Sequence, residues 1–109
     1  MTPIEFANKH SFEILNEGEG NERPINGVYC CDLLSIVMGR AKLDDAWITV
    51  MSNVNSIAVA VLADVSCIIL SEGMALDDQA TQKAVEQNVC VLKSNLPTYE
   101  IALLLKDIL

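Results

Sequence analysis

The sequence predicts an α/β fold of three layers, α/β/α. The middle layer is a mostly parallel sheet that is built from repeated βα units. Between Trp47 and Leu109 a short apolar strand, a few polar or glycine residues and a helical stretch follow one another three times. The three strand segments, 47–50, 67–70 and 89–92, are apolar almost without alternation, as in strands covered on both faces. Repeated βα units of this kind indicate a parallel sheet between helices.

Length and composition predict one folded domain over residues 1–109. The chain is large enough to bury most of its apolar surface, but too small for two separate cores. Hydrophobic residues make up 51% of the chain and charged residues 20%, which is a globular balance.

Charge excludes two classes of partner. The chain has 15 acidic and 7 basic residues and a formal charge of -8, without a cluster of lysine and arginine. We therefore expect neither nucleic acid nor membrane as a partner. The first residues lack the pattern of a signal peptide, and the longest apolar run, Ile57 to Ala63, is too short to span a bilayer. A cytoplasmic protein is expected.

The four cysteines indicate buried thiols rather than a metal, a cofactor or redox chemistry. Cys67 and Cys90 lie within apolar strands, where a thiol behaves as a small hydrophobe. Cys30 and Cys31 are adjacent and lack the spacing of zinc or thioredoxin-type pairs. His10 is the only histidine and is distant in sequence from all four, so no metal ligand set is predicted.

The amino-terminal elements carry clear signals. Thr2, Pro3 and Glu5 form a helix start with a capping box, and this helix should run to about Lys9. Residues 11–15 read as a strand, and 16–22 as a solvated turn.

A second strand is predicted at 25–30, followed by a helix that Asp32 caps. The apolar stripe of this helix consists of Leu33, Leu34, Val37, Met38 and Ala41.

Three further helices complete the prediction. The apolar run 55–64 is read as a helix capped by Asn55 and Ser56, since its alanines favour a helix. Asp77 and Asp78 begin the next helix, which turns Ala80, Ala84 and Val85 inward. Pro97 begins the last helix. Its buried face is formed by Ile101, Ala102, Leu104, Leu105 and Ile108.

Polar residues follow each strand of the repeating unit. In open parallel sheets ligands bind beyond the carboxyl ends of the strands, so these residues should converge. A small polar ligand could be held there by hydroxyls, amides and helix amino ends. Structural roles are the alternative, since these residue types also cap helices and Gly73 suits a positive φ. The candidate ligand-binding residues are Ser52, Asn53, Asn55, Ser71, Glu72, Gly73, Asn95 and Thr98.

Five segments together resemble a stand-alone DRTGG domain: 29–41, 47–50, 57–62, 68–73 and 97–100. The resemblance implies a fold similar to the N-terminal domain of HPr kinase/phosphorylase. It also implies a regulatory or interaction role without catalysis, and a domain that pairs with itself.

The sequence departs from the family pattern at the strand ends. Ser52 and Asn53 stand where members of the family show Asp-Arg or Thr-His. Ser71-Glu72-Gly73 occupies the positions where the family has Thr-Gly-Gly. The carboxylate of Glu72 would repel a phosphate there. Thr98 matches the family, but the aspartate before it is replaced by Pro97. Phosphate binding at the strand ends is therefore less well supported for this chain than for the family.

No enzyme motif is present, whether a phosphate-binding P-loop, a dinucleotide fingerprint or a nucleophile elbow. Two hypotheses remain for the function. The first is a non-catalytic regulatory or adaptor domain that forms a homodimer, through the helix at 55–64 or an uncovered sheet edge, and docks on a cytoplasmic protein partner. The second is a sensor of a nucleotide or another small polar metabolite.

Overall fold

A computed structural model describes residues 1–109 and confirms the three-layer α/β/α prediction. None of its helices combines the length and apolar character needed to cross a membrane. The elements in chain order are α1 (Pro3–His10), β1 (Glu13–Asn16), β2 (Gly27–Cys30), α2 (Leu34–Arg40), β3 (Asp45–Thr49), α3 (Val54–Ala63), β4 (Cys67–Leu70), α4 (Asp78–Gln87), β5 (Val91–Lys93) and α5 (Thr98–Lys106).

The five strands form one sheet in the order β1-β5-β4-β3-β2. Strands β2 to β5 are parallel, and β1 runs antiparallel to β5 at one edge. The predicted neighbours β3, β4 and β5 are adjacent and buried, which places their carboxyl ends at one edge of the molecule.

The two faces of the sheet carry separate apolar clusters, because side chains alternate along each strand. Ala46 and Ile48 of β3 belong to the cluster with α1 and α5, whereas Trp47 belongs to the cluster with α2, α3 and α4. Helices therefore cover both faces, as the continuous apolar strands predicted.

Local capping signals correctly placed the starts of two helices, α1 and α4. The Thr2 side chain accepts from the Glu5 amide, and the Glu5 carboxylate accepts from the Thr2 amide, which is the predicted capping box. Asp77 caps α4 through the Ala80 amide. The helix at 55–64 is confirmed, but its cap is Asn53 rather than Asn55 and Ser56.

The prediction for α2 was wrong at its start. Asp32 does not cap this helix, since Leu33 occupies the N-cap position and no side chain caps it. Leu33 and Met38 are 59% and 49% exposed. Only Val37 is fully buried, and Leu34, three residues before it on the same face of the helix, is partly buried.

Val85 of α4 was predicted to face inward, but it is 58% exposed. Ala80 and Ala84 are four residues apart and share the buried face. Val85 follows Ala84 by one residue, so its side chain is rotated by about 100° from that face. The mainly polar helix α4 therefore buries its two alanines and leaves Val85 exposed to solvent.

Residues 17–26, named the crossing segment, connect β1 and β2 at opposite edges of the sheet. Arg23 anchors this segment through ion pairs with Asp44 at 2.7 Å and Asp64 at 2.9 Å. The hydroxyl of Ser66 also donates to the Arg23 carbonyl at 2.6 Å. Burial opposes the charge of Arg23, but its bonds to the two aspartates outweigh it and raise its pKa.

The prediction that Cys67 and Cys90 are buried thiols is confirmed. Cys67 and Cys90 are buried, whereas Cys30 is exposed. Burial raises the pKa of Cys67 well above its ordinary value, and raises that of Cys90 to about 12. Both therefore stay protonated at neutral pH and are poor nucleophiles.

Candidate functional site

The loops that follow β4 and β5 pack directly against each other. The amide of Glu72 donates to the Leu96 carbonyl at 3.0 Å, and the amide of Gly73 donates to the Ser94 carbonyl at 2.9 Å. Ser94 in turn donates its amide to the Leu70 carbonyl. These backbone bonds hold two of the predicted polar segments, 71–73 and 94–98, at the same edge of the sheet.

A hydroxyl pair lies between these loops. Ser71 Oγ and Thr98 Oγ1 are 2.8 Å apart, and either atom can donate. Ser71 has no exposed surface, and its amide donates to the Thr49 carbonyl. Thr98 is partly exposed and begins α5, which no side chain caps. When Ser71 donates, the Thr98 hydroxyl proton is free to donate to a ligand at the amino end of α5.

Glu72 and Gly73 form a tight turn. Both have positive φ, 57° and 73°, and the Met74 amide donates to the Ser71 carbonyl at 3.1 Å. This is the pattern of a type I′ turn. A β-carbon on Gly73 would also lie 2.9 Å from Asn95 Oδ1, so Gly73 allows Asn95 to approach. The conformational role of Gly73 is therefore confirmed.

Glu72 holds a left-handed conformation that a side chain other than asparagine or aspartate adopts at a cost. We expect Glu72→Asn to raise the free energy of unfolding by about 0.5 to 1 kcal/mol, because asparagine tolerates this conformation best. Urea unfolding measures the change. Glu72→Gln removes the same charge without easing the backbone and should change stability far less. Equal gains for both variants would contradict the conformational explanation.

The polar loop after β3 caps the amino end of α3. Asn53 Oδ1 accepts from the amides of Asn55 at 3.0 Å and Ser56 at 3.3 Å. Ser52 is partly exposed and Asn55 is exposed. No hydrogen bond joins these residues to the hydroxyl pair or to the turn. The Ser56 hydroxyl is buried and has no partner.

Asp32 was missed as a strand-end residue because it was read as a helix cap. Its Oδ1 accepts from the Thr49 hydroxyl at 2.8 Å and the Val50 amide at 3.0 Å. Asp32 follows the carboxyl end of β2, next to β3 in the sheet. Its place two residues beyond an apolar strand was the signal that could have found it. Its second carboxylate oxygen makes no hydrogen bond.

The eight predicted residues do not share one cavity. Among them only Asn95 lines a surface groove, which has a volume of about 420 Å³ and lies beside the carboxyl end of β5. Its lining is mainly polar. It consists of His10, Ser11, Phe12, Glu13, Lys93, Ser94, Asn95 and Leu96. No three histidine, cysteine, aspartate or glutamate side chains lie close enough to hold a metal ion.

Comparison with known proteins identifies a family and solved structures of related fold. The model of the DRTGG domain matches residues 5–108. No curated protein matches the sequence. One solved structure contains the CBS and DRTGG domains of the regulatory region of Clostridium perfringens pyrophosphatase, complexed with its activator diadenosine tetraphosphate. It superposes with a TM-score of 0.76 at 16% identity, over 94% of this chain and 45% of that chain. The chain thus spans under half of that relative.

Proposed function

This chain belongs to the DRTGG domain family, and on that premise we propose that residues 1–109 act as one non-catalytic regulatory domain. It works in the cytoplasm by pairing with itself and by docking on a protein partner. The related pyrophosphatase region has a regulatory role in its own protein, which supports the same class of function here.

The observation that carries this proposal is an apolar surface on α3. No residue of α3 is charged, although Leu62 is 70% exposed and Val61 is 42% exposed. Val85 on the neighbouring α4 is exposed as well. Between the two helices lies a groove of about 200 Å³, to which Lys83 and Gln87 contribute the only polar side chains. Twofold pairing through this surface would remove the exposed leucine and valines of both copies from water.

Light scattering across a dilution series tests the pairing. The unaltered chain should have the mass of a dimer at tens of micromolar, and Leu62→Glu should have that of a monomer, because the new carboxylate would be buried without a partner. Asn8→Glu adds the same charge on α1, on the opposite face of the sheet, and should stay dimeric. A monomeric mass for the unaltered chain would overturn the proposal.

Binding of a small polar ligand is the second candidate function. It is favoured by the groove beside Asn95, where Lys93 offers a positive charge, and by the uncapped start of α5 next to the Ser71–Thr98 pair. A screen of thermal stability against nucleotides, with diadenosine tetraphosphate among them, tests it. A ligand at 100 times its dissociation constant adds about 2.7 kcal/mol of stability. Absence of any shift would remove this candidate and leave the pairing proposal intact.

A further inference from the structure

The two edges of the sheet differ in how they are protected against pairing with another chain. At the β1 edge, Glu13 carries a charge and a bulge interrupts the register between Ile14 and Asn16. The side-chain amide of Asn16 also donates to the Ala84 carbonyl of α4 and to the Val89 carbonyl just after α4. Charges and bulges are the usual means of blocking an edge strand. The β1 edge is therefore closed to a further strand.

The β2 edge has none of these protections. Strand β2 reads Gly-Val-Tyr-Cys, without charge or proline, and pairs with β3 in unbroken register over its whole length. Its other side has no strand, because β2 is last in the sheet. A regular, uncharged edge strand of this kind presents unpaired backbone donors and acceptors. The edge can accept one more strand.

A shallow groove of about 580 Å³ runs along this edge. Asn26, Gly27, Val28 and Tyr29 all line it. Successive side chains of a strand point to opposite faces of the sheet. A groove lined by four consecutive residues therefore runs along the open backbone edge of β2 and not over one face of the sheet. Gly27 leaves room for the Asp45 carboxylate, since a β-carbon on Gly27 would lie 2.5 Å from Asp45 Oδ1.

The groove carries positive charge on an otherwise acidic protein. Arg40 and Lys42 line it, both are exposed, and neither forms an ion pair. The carboxylate of Asp45 also belongs to the lining, but this residue is buried and its Oδ2 accepts from the Lys42 amide. The free side chains at the groove therefore favour an occupant with carboxylates.

We propose that the free edge of β2 binds an extended segment of a protein partner by strand addition, and that this segment carries acidic side chains which meet Arg40 and Lys42. Main-chain hydrogen bonds to β2 would supply affinity, and the basic pair would select the sequence. A second copy fits less well, because β2 itself has no carboxylate to offer. The inference rests on the proposed role in docking a partner and specifies the surface and chemistry of that role.

The experiment uses the full chain labelled with nitrogen-15 and a blocked synthetic peptide of about eight residues, a usual strand length, that alternates valine with glutamate. The peptide should shift the amide signals of residues 27–30. Arg40→Glu with Lys42→Glu should weaken binding about fivefold, the effect of two exposed ion pairs. Lys9→Glu with Lys106→Glu makes the same charge change on α1 and α5 and should leave binding unchanged.

Two peptide controls separate strand addition from simple charge attraction. A peptide alternating valine with lysine should bind more weakly, and N-methylation of the glutamate peptide should abolish binding by removing its main-chain donors. Shifts that lie elsewhere, or no shift at about 1 mM peptide, would overturn the inference.

Hydrogen exchange of the free protein gives an independent check. The β2 amides that do not donate to β3 are the ones that report on the free edge. If these amides are already protected where light scattering shows a dimer, a second copy covers the edge and the inference fails. A monomeric free protein whose β2 signals still shift with the glutamate peptide would refute the pairing proposal and support this one.

Discussion

Replacing Trp47 by alanine should lower the free energy of unfolding by about 3 to 5 kcal/mol, which is the usual cost of deleting a large buried side chain. Trp47 is fully buried in β3, where it pairs with Tyr29 on one side and Ile68 on the other. Its indole nitrogen donates to the Cys31 carbonyl at 2.9 Å. A domain of this size has about 5 to 15 kcal/mol in total, so the variant should be near its unfolding threshold. Urea unfolding followed by far-ultraviolet circular dichroism measures the loss.

Trp47→Phe is the matched control for this prediction. Phenylalanine keeps most of the apolar volume but cannot donate to the Cys31 carbonyl, so we expect a smaller loss of about 1 to 3 kcal/mol. A loss below about 1 kcal/mol for the alanine variant would contradict the central position of Trp47 in its cluster.

Gly18→Ala should have the second largest effect, a loss of about 2 to 4 kcal/mol from positive φ and overpacking together. Gly18 lies in the crossing segment with a φ of 49°. A β-carbon there would stand 2.5 Å from the Asn88 carbonyl oxygen and 2.7 Å from the Val89 carbonyl carbon. Backbone atoms cannot rotate away as a flexible side chain can. Thermal or urea unfolding gives the difference from the unaltered chain.

Gly39→Ala is the control, since the same substitution is made where there is room. Gly39 is exposed in α2, and a β-carbon there would meet no atom within 4 Å. Gly39 is the next-to-last residue of α2, so alanine there should raise stability by up to about 0.5 kcal/mol, less than in a helix interior. If both substitutions had the same sign, the close contact of the crossing segment with Asn88 would be refuted.

The layers of the fold were predictable because their signals are local. Continuous apolar runs marked β3, β4 and β5, and the residues Thr2 and Asp77 marked the starts of two helices before any tertiary contact was known. The prediction failed where tertiary contacts determine which side chains of a helix are buried. Val85 and Met38 lie on helices whose buried faces are set by the neighbouring sheet and helices, and an apolar side chain alone does not reveal that orientation.

The candidate site was predictable in position but not in contacts. The rule about strand ends correctly placed Ser71, Glu72 and Gly73 beside the loop that holds Asn95 and Thr98. It could not show that Asn53 uses its side-chain oxygen to cap α3, or that Asp32 binds the end of β3. Both depend on distances that the spacing of residues along the chain does not fix. Whether any of the eight residues binds a ligand stays a prediction.

The position of β1 in the sheet has a consequence for synthesis on the ribosome. Glu13 of β1 pairs with Lys93 of β5, and β5 is the only strand that β1 contacts in the sheet. The amino-terminal strand therefore leaves the ribosome long before its partner exists, and cannot take its place until residue 93 has emerged. In the finished sheet the crossing segment spans four inter-strand spacings, about 19 Å, from β1 at one edge to β2 at the other. Folding of this domain should thus be completed only after residue 93 has emerged, with its first strand among the last to be fixed.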